Sequence, residues 1–278
     1  MTVKIVTDSA ADLTPEQAAA HGVTVVPLTI RFGDDEFTDG KDLDPVAFYE
    51  MMATRSELPA TAAPAPGAFE AAMRTAGADG DAVICINLSA ALSATMQSAE
   101  NAARSIGGDL DVRVVDSQSI TAGLGIKVLA AAAAAEEGAE ADEIVALVEA
   151  MRPQTRVFGA LSTLDNLKKG GRIGGAQAML GSLLSIKPII DISTGSVTEA
   201  AKQRTRAKSL TWLRDRLFSE PDVETVAVCH GQADDYEQLV DLLSPRYSRE
   251  QVTVWTIGPV IGAHGGPGIA GLCWHQPS

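Results

Sequence analysis

The sequence predicts an α/β protein organised as two α/β domains. Short β-branched runs alternate with helical stretches through the first half. A helical stretch at 140–150 stops against Pro153, and strand-like runs resume beyond it. A length of 278 residues suits one large domain or two ordinary ones of ~100–150 residues each, and the break near Pro153 favours two. The expected boundary divides the chain into 1–152, a parallel sheet covered by helices, and 153–278, a second α/β unit with a mixed sheet.

Taken in order, 3–7 (VKIVT) is a first strand, closed by Asp8 and Ser9. Thr14, Pro15 and Gln17 then mark a helix start: an N-cap hydroxyl, proline at the first helical position, and a glutamine that closes a capping box. A second strand is expected at 24–30. The segment 59–66 reads as a proline/alanine linker holding a single hydroxyl, Thr61. Strands at 82–86 and 112–115 each lead into a helix, at 93–106 and 122–137. The alanine tract 130–135 belongs to the second of these, since alanine is the strongest helix former. In the second half, strands are expected at 157–160 and 189–192, with a glycine turn at 194–196. Two more, at 225–229 and 252–257, bracket a helix at 235–243.

Charge narrows the function. Acidic residues number 36 against 22 basic, a formal net charge of −14, which argues against a general nucleic-acid binder. The window 168–208 runs against this trend, with eight basic and two acidic residues, and so reads either as a solvated face or as a patch that faces an anion. Apolar residues make up 46% of the chain, yet the longest uninterrupted apolar run, 128–135, falls far below the ~20 residues of a membrane span. With no secretory h-region, a cytoplasmic protein is expected. Cys85, Cys229 and Cys273 stand singly in apolar surroundings and read as buried free thiols.

Familiar catalytic motifs are missing: there is no phosphate loop, no H-E-x-x-H and no nucleophile elbow. Asp8 follows a strand as an aspartyl-phosphate nucleophile would, but Ala10 occupies the place of the second aspartate. His21, His230, His264 and His275 are scattered, with no partner at metal-ligand spacing. What stands out is hydroxyls beside small residues. Ser93 and Thr95 lie where a helix N-terminus favours an anion, and Ser93 is equally a plain helix cap. His264 sits in the glycine-rich run 258–268, where backbone can approach a ligand closely.

These pieces together resemble the DegV family of bacterial fatty-acid-binding proteins. The matching stretches are TDSAADLT at 7–14, the serine- and threonine-rich segment around Ser93, VVDSQS at 114–119, LDNLKKGGRIGG at 164–175, QRT at 203–205 and GPVIGAHGGPG at 258–268. They keep their order across nearly the whole chain. The resemblance implies a long-chain fatty acid such as palmitate or oleate held between two α/β domains. Its carboxylate would be bound by Thr61 and Ser93, with Arg204 and His264 completing the polar pocket. It implies no catalytic residue, no metal and no cofactor beyond the bound fatty acid. It also implies a separate fatty-acid kinase subunit as partner, which phosphorylates the acid in place. The chain departs from the family at Ala62, Ala63 and Gly265, where polar neighbours of the site are usual.

A chain of about sixteen carbons brings on the order of 12 kcal/mol of transfer free energy, so the carboxylate end sets orientation more than affinity. Such binding raises the question of release. The expectation is that 176–185 moves as a lid, with Lys168, Lys169 and Arg172 docking on an anionic membrane surface. Two other classes stay open on sequence grounds: a small-molecule kinase or phosphotransferase component, and a regulatory protein with a vestigial cavity.

Overall fold

A computed structural model describes residues 2–179 and 186–277. The first half runs β1 (Val3–Asp8), α1 (Pro15–Ala20), β2 (Thr24–Val26), β3 (Thr29–Phe32), β4 (Asp35–Thr38), α2 (Pro45–Thr54), β5 (Ala60–Ala62), α3 (Pro66–Ala76), β6 (Ala82–Asn87), α4 (Thr95–Ile106), β7 (Val112–Asp116), α5 (Thr121–Glu136) and α6 (Ala141–Met151). The second half runs β8 (Thr155–Ala160), α7 (Asp165–Lys169), β9 (Lys187–Asp191), β10 (Thr198–Gln203), α8 (Arg206–Phe218), β11 (Thr225–Gly231), α9 (Tyr236–Leu243), β12 (Val252–Thr256), α10 (Pro259–Gly265) and β13 (Ile269–His275).

The alternation read from the first half builds a parallel four-stranded sheet in the order β2-β1-β6-β7. Its central strand β6 is buried along its whole length, as the unbroken run AVICIN requires of a strand covered on both faces. The capping box at Thr14 and Gln17 forms as the sequence predicts, with both reciprocal bonds made. The second half builds a mixed six-stranded sheet, β10-β9-β8-β13-β11-β12. β13 lies at its centre, antiparallel to both β8 and β11.

Three expectations differ from the structure. The strand expected at 24–30 is two strands in different sheets, because Pro27 has no N–H for a ladder and lies between β2 and β3. The linker 59–66 contains β5, which pairs with β3 and closes a small antiparallel sheet, β4-β3-β5. The glycine-rich run 258–268 contains helix α10, entered through Pro259 at its first turn.

One hydrophobic core spans both halves, joining Leu28, Ile30 and Phe48 to Leu161, Ile190, Ile192 and Val260. Helix α5 lies within it and touches strands of both large sheets. Its small residues make that possible: a Cβ on Gly125 would fall 2.5 Å from the Trp255 ring, and one on Gly123 would fall 2.6 Å from Val157. The three cysteines are free and buried.

Candidate functional site

Where the two halves meet, a cavity is walled by Leu28, Leu88, Ile120, Ile190, Ile192 and Val260, with Thr61, Ser93, Arg172 and His264 also on its wall. The void, mouth included, is about 610 Å³. Its lining is mainly aliphatic, a surface against which an alkyl chain can be buried.

Thr61 reaches the cavity by strand alternation. Ala60 and Ala62 of β5 face outward, and Thr61, opposite Ile30, faces inward. Its Oγ1 lies 3.0 Å from His264 Nε2. His264 stands in the last turn of α10, with its ring against Gly170. Burial, with Arg172 nearby, holds this imidazole down at about pKa 4, so it is neutral at pH 7. A neutral ring protonated on Nε2 donates to Thr61 Oγ1, which frees the threonine hydroxyl to donate to a third oxygen. The pair can thus deliver one oriented O–H to an anion without placing a second full charge in the cavity. His264 Nδ1 is buried and has no hydrogen-bond partner among the described residues.

Ser93 is held by the turn that follows β6. The backbone N–H groups of Leu92 and Ser93 both donate to Ser89 O, at 3.0 and 3.2 Å. Ser93 Oγ accepts from Thr95 N at 3.2 Å and lies 2.9 Å from the Thr95 hydroxyl. When Thr95 supplies the proton of that contact, the Ser93 hydroxyl is left to donate into the cavity. Helix α4 begins at Thr95, two residues later than the sequence suggests, so Ser93 lies in the turn ahead of the helix. Asp8 anchors the same turn. Its carboxylate accepts from Leu88 N at 2.8 Å, Asn87 Nδ2 at 3.1 Å and Ala10 N at 3.0 Å. Burial pushes Asp8 up to about 6 against the opposing pull of these donors. Asp8 is thus a buried brace for the Ser93 turn.

The cation on the cavity wall is Arg172. It follows Gly171, whose φ of +70° suits glycine, and its guanidinium turns inward. Nε donates to Leu92 O at 3.1 Å and Nη1 to Gly170 O at 2.7 Å. Both partners are neutral carbonyls, and no carboxylate pairs with it among the described residues. Arg204, given this place by the family resemblance, is exposed between β10 and α8 and does not line the cavity among the described residues. The GGR turn is legible in the sequence, where its arginine reads as a surface group beside Lys168 and Lys169. Those two lysines are indeed exposed, on α7. Of the expected lid 176–185, Ala176 is buried within the turn Gly174–Met179, and 180–185 lies outside the described residues.

Among the described residues no cluster of His, Cys, Asp or Glu is arranged to hold a metal ion, and no helix is long and apolar enough to cross a membrane. The family model described as "Uncharacterised protein, DegV family" matches residues 2–276. A DegV domain-containing protein of Deinococcus radiodurans is 36% identical over 278 residues, covering 98% of each chain. Among solved structures, a DegV family protein from Thermus thermophilus, described for its fatty acid binding, superposes with a TM-score of 0.91 at 32% identity. DegV from Bacillus subtilis, described as a fatty acid binding protein, superposes at 0.89 with 31% identity. Both alignments cover the whole of both chains. Sequence and fold agree along the full length, and the chain belongs to the DegV family.

Proposed function

We propose that this protein carries one long-chain fatty acid, such as palmitate or oleate, with its tail in the aliphatic cavity and its carboxylate at Thr61, Ser93, Arg172 and His264. The observation that carries this reading is the union, in one cavity, of aliphatic walls with a cation and two donor hydroxyls. About sixteen buried carbons supply on the order of 12 kcal/mol, and the carboxylate needs the donors to avoid a severe desolvation cost. The fatty-acid-binding descriptions of the Thermus and Bacillus relatives support the same ligand class. In this reading Arg172 takes the place first given to Arg204.

We read the chain as a cytoplasmic carrier, with chemistry on the carboxylate done by a separate kinase subunit. In support, Leu92, Ser93 and Arg172 also line a surface cleft with Ala90, Ala91 and Met96, so the polar end has a route to the outside. The exposed Lys168 and Lys169 support transient contact with an anionic membrane; the inward turn of Arg172 removes it from that role.

Native and denaturing mass spectrometry of freshly purified protein, with solvent extraction, tests the reading. One fatty acid per chain is expected, lost in the double variant Thr61→Val, Ser93→Ala. A protein that arrives empty and ignores added oleate and palmitate would overturn it.

A further inference from the structure

Strand β9 has two faces, and the cavity uses only one of them. Through β9 and the two residues that follow it, Ile190 and Ile192 line the cavity, while Asp191 and Ser193 line the opposite side of the sheet. On that side is a second, open cleft with a void of about 920 Å³, mouth included, between the end of the six-stranded sheet and helix α8. Arg156 and Arg216 line it, with Phe158 and the half-buried Trp212 as an aromatic floor whose ring centroids lie 5.6 Å apart, edge to face. Arg156 donates to the carbonyls of Pro153 at 2.5 Å and Thr155 at 3.5 Å, and no carboxylate pairs with it among the described residues. Arg216 lies 5.5 Å from the Phe158 centroid and pairs with Glu220 at 2.6 Å. The one carboxylate on the cleft wall, Asp191, is engaged by the Ser193 N–H at 2.7 Å.

We propose that this cleft is a second binding site, for a small organic anion whose phosphate or carboxylate is held by Arg156 and whose flat ring lies on Trp212. Guanidinium groups bind such oxyanions through charge-assisted bonds, and an indole face accepts a planar ring. Arg216 is already paired with Glu220, so Arg156, whose donors reach only carbonyls, is the cation this cleft offers an oxyanion.

The cleft and the fatty-acid cavity share a wall that is tied to the carboxylate end. Ser193 and Thr194, on the cleft, lead into Gly195, whose carbonyl accepts from Ser89 Oγ at 2.6 Å. Ser89 O in turn holds the Leu92 and Ser93 N–H groups. An anion that orders the turn after β9 therefore steadies both the Ile190–Ile192 wall and the Ser93 turn, and the two ligands favour each other. The site is independent of the fatty-acid reading; only this coupling rests on it.

The test is a titration of purified, delipidated protein with AMP and, separately, with benzoate. It is followed by NMR at the Trp212 indole N–H, assigned by its loss in Trp212→Phe. Saturable shifts are expected, weakened at least about ten-fold by Arg156→Gln, and the stronger probe names the anion as phosphate or carboxylate. If neither probe shifts the signal, or if Arg156→Gln binds as the parent does, the site is overturned. At saturating anion, the affinity for oleate is expected to rise about five-fold, with the reciprocal rise in anion affinity that linkage demands. An oleate affinity that is unchanged or lower overturns the coupling.

Discussion

Arg172 Nε donates to the carbonyl of Leu92 across 80 residues of chain, joining the glycine turn of the second half to the Ser93 turn of the first. The guanidinium is thus both a cavity wall and a clasp between the halves. Arg172→Gln keeps a donor for Leu92 O but removes the charge, and oleate affinity is expected to fall at least about ten-fold, as loss of a charge-assisted bond implies. Arg204→Gln should leave that affinity within two-fold of the parent, at about the resolution of fluorescence displacement, since Arg204 is exposed and does not line the cavity among the described residues.

His264 gives a pH signature. Its pKa is held at about 4 against an ordinary 6.5, so the unfolded chain binds more protons between those values. Stability contributed by the neutral ring is complete above pH 6.5 and is lost as pH falls through 4. Urea unfolding across pH 4–7 should show this slope, and His264→Gln should flatten it. NMR titration of the ring checks the pKa directly.

Gly170 bears on the same ring. Its φ is −75°, which alanine accepts, yet a Cβ there would fall 2.5 Å from His264 Nδ1. Gly170→Ala is expected to turn the imidazole away from Thr61 and lower oleate affinity. The thermal midpoint should change little, which separates the displacement from general unfolding.

Lys127 is 1% exposed inside α5, and its ammonium donates to Gly123 O at 3.2 Å. Burial lowers its pKa from 10.5 to about 8. The charged form is therefore a constant burden below pH 8, relieved as pH rises from 8 to 10.5, where the unfolded chain binds more protons. Lys127→Met should stabilise the protein at pH 7 by on the order of 3 kcal/mol and remove that slope.

The α/β class and most sheet strands were legible because runs such as AVICIN and VKIVT are long enough to show buried strand character. Thr61 was found only through family resemblance. β5 has three residues, too few for alternation to register, and its order comes from pairing with β3. Helix α10 was hidden for a related reason: its glycines and single histidine read as loop, whereas packing against Tyr49 favours those small residues. A Cβ on Gly262 would fall 2.5 Å from the Tyr49 hydroxyl. Arg204 enters the site only through the family resemblance at QRT, and nothing in the sequence marks Arg172, among eight cations in one window, as the one that turns toward the cavity.

The central place of β13 has a consequence for synthesis. β10-β9-β8 and β11-β12 are made first, as two separate ribbons, and each presents a raw edge where residues 269–275 later insert. Until those seven residues clear the ribosome, the second sheet cannot close and its two open edges invite pairing with other nascent chains. A message truncated just before Ile269 would therefore yield an aggregating polypeptide in place of a slightly shortened protein.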